Sequence, residues 1–372
     1  MKFDGRRYKL FPLTARQNPE LVNKNEWLVN YALLRKAKKN SPTLESDAKA
    51  YQSAVGKNNS DLANKFRGAF LGLAVGDAFG TTLEFGPRNA EESHKTMVGQ
   101  GPFGLKPGEW TDDTSMALCL AYSLVDLCYF DPLDQLDLYI KWWKEGLFSS
   151  TGQCFDIGNT VAEALSRFQE SRSSAVGLND ERSAGNGSLM RLCPVVLFYA
   201  STPYKAIDYA AESSRTTHAN VQSVDACRFF AGLLVGALLN KSKEEILSEM
   251  YCPVDEYWTF KPLCSEIEAI ARGSYKEKSR NEIQSSGYVV HSLEAALWSF
   301  YNTDTFESGL IKATNLGGDA DTIGAIYGQL AGAFYGEIAI PSEMVFTIKN
   351  YHWFFQLADE MVSFYVGREV KF

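Results

Sequence analysis

Soft metal ligands are scarce in this chain: four histidines occur in 372 residues, and seven cysteines scattered from Cys119 to Cys264 form no C-x-x-C pair. That distribution argues against a structural zinc site or a disulfide framework, and reduced thiols suit a cytoplasmic protein. Long apolar runs are missing as well. The stretch from Ala69 to Phe79 carries Asp77 and falls short of the ~20 residues that cross a bilayer, and the start Met1 to Arg7 leads into no apolar leader. Neither a signal peptide nor a membrane span is expected. Alternating apolar and polar residues, the mark of half-buried strands, are nearly absent, and no Walker or dinucleotide glycine fingerprint and no Ser-His-Asp or Cys-His arrangement stands out.

Charge is plentiful but unevenly placed. Within the formal net charge of -8, residues 1–60 hold 12 Lys and Arg against 5 Asp and Glu, or +7, while the remaining 25 basic and 40 acidic residues give -15. The asymmetry separates a basic arm, 1–60, from an acidic body, 61–372. Leu21, Trp27, Leu28, Tyr31 and Leu34 fall near one face of a helix expected over 19–39, a second short helix is expected over 43–55, and Gly56 to Ser60 reads as a linker. Beyond Arg35-Lys36-Ala37-Lys38-Lys39 the arm has no dense basic run, and no nucleic-acid-binding fold follows, so nucleic acid is not an expected partner.

From Asp61 onward the sequence reads as an all-α globular domain. Gly68, Gly72, Gly76 and Gly80 line one helical stripe, and Gly324, Gly328, Gly332 and Gly336 repeat it. Each interior helical glycine costs roughly 1 kcal/mol relative to alanine, so two such ladders predict that the helices cross with close backbone packing. Further helices are expected over 114–127, 132–144, 160–170, 195–200, 204–215, 220–239, 243–250, 292–301, 307–314 and 344–366.

Two segments carry the strongest chemical signal. Thr111-Asp112-Asp113 and Asp319-Ala320-Asp321-Thr322 each open an apolar helical stretch. Asp and Thr are good N-caps, but one cap needs one residue, and a helix N-terminus neutralises only about half a charge. Four carboxylates and two threonines are hard oxygen donors of the kind that hold Mg2+; if the segments converge, they balance two dications. Glu84, among apolar neighbours, reads either as ligand, gate or acid/base or as a partly solvated loop residue. Asp77, inside an apolar segment, reads as a cap on neighbouring backbone. Cys154 to Thr160 and Ser183 to Arg191 are turn-rich stretches whose glycines would let backbone N–H groups approach a phosphate. Thr217-His218 carries a lone histidine, a type more often structural than catalytic.

Together, Gly76-Asp77-Ala78 through Glu84, Trp110 to Thr114, Asp156 to Thr160, Gly185 to Arg191, Thr217-His218 and Gly317 to Thr322 resemble the ADP-ribosylglycohydrolase family, in the family's order and over about residues 62–366. The likeness is closest to the dinitrogenase-reductase-activating type. The resemblance implies an all-α fold with two Mg2+ ions, or Mn2+, held by Thr111, Asp112, Asp113, Asp319, Asp321 and Thr322. It implies catalytic roles around Glu84, Asp156, Asp113 and Asp319, and an ADP-ribose pocket lined by Asp156, Gly158, Asn159, Gly185, Asn186, Gly187, Ser188, Met190 and His218. It implies hydrolysis of the N-glycosidic bond to arginine in an ADP-ribosylated protein. The arm departs from minimal members and resembles the extension of type VI secretion immunity hydrolases, which implies a cognate ADP-ribosyltransferase toxin as partner. A non-catalytic ADP-ribose or toxin binder, a hydrolase reactivating an endogenous modified enzyme, and a Mg2+ phosphohydrolase are the other readings.

Overall fold

The computed structural model of the protein describes residues 61–89 and 91–369. The helices expected in the arm lie outside them. In order, the chain forms α1 (Asp61–Gly80), α2 (Asp112–Leu127), α3 (Pro132–Glu145), α4 (Asn159–Ser171), α5 (Cys193–Tyr199), α6 (Pro203–Arg215), α7 (Val221–Leu238), α8 (Ser265–Ala271), α9 (Val289–Tyr301), α10 (Phe306–Thr314), α11 (Ala320–Tyr335), α12 (Ser342–Thr347) and α13 (His352–Glu369), with single helical turns between some of them. Among the described residues the extended backbone makes only isolated bridges, in keeping with the all-α expectation.

Two helices form the axis of the body. From Phe66 to Gly80 every residue of α1 except Arg67 is buried, and so is α11 from Ala320 to Ala333. They run antiparallel with their backbones in contact. A Cβ added to Gly68 would stand 2.2 Å from the Gly332 carbonyl oxygen, one on Gly72 2.1 Å from that of Gly328, one on Gly76 2.0 Å from that of Gly324, and one on Gly80 2.3 Å from that of Ala320. Each step of one turn up α1 meets one turn down α11, so dispersion and close packing offset the low helix propensity of the glycines. The register sets the end of α1 against the start of α11.

Outer helices bury one face only. In α3, Leu136, Leu138, Tyr139 and Trp142 point inward, and its start is fixed by Asp131, whose carboxylate accepts from the N–H groups of Leu133 and Asp134 ahead of Pro132. The α7 helix is apolar and long enough to cross a membrane, but 89% of it is buried inside the protein.

Two expectations need correction. The helix expected over 344–366 is two helices, α12 and α13, because Asn350 takes φ 50° between them. This break lets Lys349 N–H donate to the Gly108 carbonyl at 3.0 Å, while Gly108, at φ 82°, meets the Thr347 carbonyl so closely that a Cβ would lie 1.8 Å away. The helix expected over 243–250 stops at Ile246.

Candidate active site

The α1–α11 register builds one wall of the site. A short turn, Thr81–Leu83, leads from α1 to Glu84, and the next residues pair with the loop before α11: Phe85 N–H donates to Gly318 O at 2.6 Å, and Gly318 N–H to Gly86 O at 2.9 Å. Gly318 has φ 64°, and a Cβ there would fall 2.1 Å from Ser285 O, so this approach requires glycine. As a result, carboxylate oxygens of Glu84, Asp319 and Asp321 lie within 4.8 Å of one another.

Asp77, one turn before the end of α1, positions the other acidic segment. Its carboxylate accepts from Thr111 N–H at 3.0 Å, Thr114 N–H at 3.1 Å, Thr111 Oγ1 at 3.0 Å and Thr114 Oγ1 at 2.6 Å. The buried Asp77 therefore is a cap, but of α2, a different helix more than thirty residues on rather than its own neighbouring backbone, and it ties Thr111, Asp112 and Asp113 to the core. The single Thr111 hydroxyl proton faces two carboxylates, Asp77 and Asp113, at 3.0 and 3.1 Å.

Asp112, Asp113, Asp321 and Glu84 are all buried. Among the described residues none of them, nor Asp77 or Asp319, forms an ion pair with Lys or Arg, and Asp113 Oδ1 and Glu84 Oε2 have no hydrogen-bond partner. Burial, followed by repulsion from neighbouring carboxylates, holds Glu84, Asp112, Asp113 and Asp321 well above the ordinary carboxylate range. Burial lifts Asp77 to about 6 against the opposing hydrogen bonds from Thr114 and Thr111. Burial, with Asp77 and Asp319 nearby, lifts Asp156 to about 7. Buried carboxylates lacking counter-charges are costly unless they coordinate cations. The orphaned oxygens and the all-oxygen donor set fit hard divalent ions.

In front of this acidic floor opens a cavity of about 670 Å³. Glu84, Asp112, Asp319 and Thr322 line one side, with Asp156, Gly158, Asn159, Gly185, Asn186, Gly187, Met190 and His218 around them. Thr111, Asp113 and Asp321 lie beneath the lining. Asn186 Nδ2 donates to Asp319 at 2.7 Å and to Ser292 at 2.8 Å, joining the glycine-rich wall to the acidic one. Gln329 on α11 supports that wall from behind, donating to Met190 O at 2.7 Å and accepting from Cys193 N–H at 2.7 Å.

Ser188 departs from the expectation: its side chain is buried against Ser214 Oγ at 2.8 Å and does not line the cavity. The sequence reading missed Phe85, Arg182 and Ser285 to Gly287, which do. A Ser-Ser-Gly turn has no chemical pattern of its own. Phe85, 71% exposed at the mouth, was a stronger clue, as an aromatic beside the motif glutamate. Its ring meets Phe103, and Phe103 meets Phe155, at centroid distances of 6.3 and 5.3 Å.

Residues 58–370 match the ADP-ribosylglycohydrolase family. The chain is 40% identical over 313 residues, 84% of its own length and 82% of the relative's, to an ADP-ribosylarginine hydrolase Tri1 of Serratia proteamaculans (strain 568). It is 35% identical over 283 residues, covering 74% of this chain and 87% of the relative, to the ADP-ribosyl-[dinitrogen reductase] glycohydrolase of Rhodospirillum rubrum. A solved structure described as an ADP-ribosylglycohydrolase-related protein complex superposes with a TM-score of 0.71 at 39% identity, covering 82% of this chain and 99% of that one. The family match takes in both acidic helix starts and the glycine-rich wall facing them, and the chain belongs to the ADP-ribosylglycohydrolase family.

Proposed function

We propose that this protein is a hydrolase that releases ADP-ribose from modified arginine side chains of proteins. The observation that carries the reading is the meeting, at one cavity, of two acidic helix starts and Glu84, with Asp113 Oδ1 and Glu84 Oε2 buried without hydrogen-bond partners. The relative named as an ADP-ribosylarginine hydrolase supports the choice of leaving group.

Thr111, Asp112, Asp113, Asp319, Asp321 and Thr322 are the residues that would hold Mg2+ or Mn2+. Two such ions, when bound, polarise ribose hydroxyls and lower the pKa of a water. The protein's own groups do the rest. Guanidine leaves poorly unless it leaves protonated. Asp156, on the cavity wall and raised by burial with Asp77 and Asp319 nearby, is placed to hold a proton and deliver it to the departing nitrogen. Glu84, beside Asp321, is the second carboxyl able to hold one. Gly158, Asn159, Gly185, Asn186, Gly187, Met190 and His218 offer the ADP moiety a wall with few charges, and Ser188 supports it from behind.

The basic arm, residues 1–60 with Trp27 and Tyr31, almost wholly precedes the family match at 58–370. We propose that it binds the ADP-ribosyltransferase toxin whose modification the body removes, so that one chain both reverses and blocks the toxin.

Mass spectrometry of an arginine-ADP-ribosylated protein incubated with the full chain and Mg2+ tests the hydrolase. Free ADP-ribose and unmodified arginine are expected, and Asp112→Ala should abolish both. Release of inorganic phosphate in their place would identify a phosphohydrolase and sink the reading.

A further inference from the structure

Behind the glycine-rich wall lies a guanidinium that the catalytic reading does not use. Arg191 is completely buried and has no carboxylate against it among the described residues. Its Nη1 donates to Gly187 O at 2.8 Å, its Nη2 to Thr217 Oγ1 at 2.8 Å, and its Cζ lies 4.8 Å from the centroid of the Tyr139 ring. Thr217 Oγ1 is in turn 2.9 Å from His218 Nδ1.

One proton arrangement along this line gives the buried hydroxyl proton an acceptor. A guanidinium has only donors to offer, so Thr217 Oγ1 accepts from Arg191. The hydroxyl has a single proton, and the remaining partner within reach is His218 Nδ1. Were Nδ1 protonated, Thr217 Oγ1 would accept from both Arg191 and Nδ1 and its own buried proton would have no acceptor among the described residues; donation from Thr217 to an unprotonated Nδ1 is the assignment that satisfies it. In a neutral imidazole the proton then sits on Nε2. A Cβ on Gly185 would stand 3.2 Å from Nε2 and one on Gly187 3.3 Å from it, so two glycines leave that atom open. Nε2 has no hydrogen-bond partner among the described residues, and His218 lines the cavity. Burial, with the nearby Arg191 charge, lowers the imidazole to about 3, so it stays neutral.

We propose that Arg191 and Thr217 are positioning residues that lock His218 in its Nε2–H tautomer, presenting the cavity with a neutral donor for an acceptor atom of the substrate. This rests on the proposed function only for what the donor meets, since the tautomer is a property of the free protein. A fixed neutral donor makes the same hydrogen bond across the working pH range, and it rejects a cationic group at that position.

Nitrogen-15 NMR of the ligand-free full chain labelled at histidine tests the lock directly, with His218→Gln identifying the resonances. The expected result is a protonated Nε2 and an unprotonated Nδ1. Thr217→Val removes the relay hydroxyl at nearly constant volume; it should mix the two tautomers and raise KM about fivefold to tenfold, the loss of one neutral hydrogen bond, with kcat within about twofold, the pattern of lost uniform binding. Thr217→Ser should restore both. A proton on Nδ1 in the unmutated protein, an imidazolium at neutral pH, or unchanged tautomers and KM in a folded Thr217→Val would overturn the proposal. If Thr217→Val does not fold, the spectrum of the unmutated protein decides alone. Failure to release ADP-ribose would count against the proposed function and leave the tautomer result standing.

Discussion

Asp113 shows at the scale of one residue how the site trades stability for chemistry. Its Oδ1 is buried without a partner, and its nearest charges are other carboxylates. In metal-free protein such a group favours the protonated form. Carboxyls raised in the folded state bind protons that the unfolded chain has already released, so they add stability at low pH that is lost as pH rises through their folded values. Asp77 at about 6 and Asp156 at about 7 place that loss between about pH 4 and 8. His218, lowered to about 3, and His94 and His291, also lowered by burial, act in the opposite sense below about pH 6.5, but they are three groups against seven raised carboxyls at the site. Metal-free protein should thus be more stable to urea at pH 5.5 than at pH 8. Mg2+ at a hundredfold its Kd should add about 2.7 kcal/mol at pH 8. Asp113→Asn, by removing a carboxyl that at pH 8 must either keep a repelled charge or take up a proton, should stabilise the metal-free protein by about 1 kcal/mol or more while losing the Mg2+ effect and turnover. A variant that is less stable than the parent without metal, yet still responds to Mg2+, would contradict this account.

At the scale of elements, the α1–α11 contact decides where the acidic groups meet, and glycine decides how closely the helices approach. Gly76→Ala gains helix propensity of about 1 kcal/mol, but its Cβ would lie 2.0 Å from the Gly324 carbonyl, a backbone atom that cannot rotate away. Overpacking of this kind costs about 1–3 kcal/mol, occasionally more, so a net loss is expected in urea denaturation, together with loss of activity as Glu84 shifts from Asp319 and Asp321. Gly232→Ala on α7 is the control: only Pro253 Cδ, at 3.4 Å, would meet the new Cβ, and a gain of up to about 1 kcal/mol is expected. Equal effects of the two changes would mean that close backbone packing is not what holds the pair together.

These ladders were legible in the sequence because a four-residue spacing of glycines has few uses other than a close helix crossing. The acidic helix starts were legible because capping uses one residue and leaves the others unexplained. What escaped depends on long-range geometry. Ser188 sits in a motif beside Gly187, yet its side chain turns toward Ser214. The break at Asn350 follows from the contact of Thr347 and Lys349 with Gly108, more than two hundred residues earlier, which no local periodicity reports.

For the whole molecule the controlling fact is opposite charge in two parts of one chain, +7 over residues 1–60 and -15 over the rest. Such an arm can serve a partner or lie on its own body, and the two uses have opposite kinetic signatures. If it serves the toxin, deleting residues 1–60 leaves kcat/KM on a small ADP-ribosylarginine substrate within about twofold and weakens binding to the transferase by at least about tenfold, or ~1.4 kcal/mol. Binding by the full chain should also weaken as salt shortens the screening length from about 30 Å at 0.01 M to about 8 Å at 0.15 M. If the arm covers its own cleft, the deletion raises kcat/KM and leaves transferase affinity unchanged. The deletion ends before α1 begins at Asp61, so the Gly68–Gly332 and Gly76–Gly324 contacts remain, and a circular dichroism melt like that of the full chain confirms that the body is intact. Calorimetric titration of the transferase into both forms then separates the outcomes, and unchanged affinity removes the arm's proposed role.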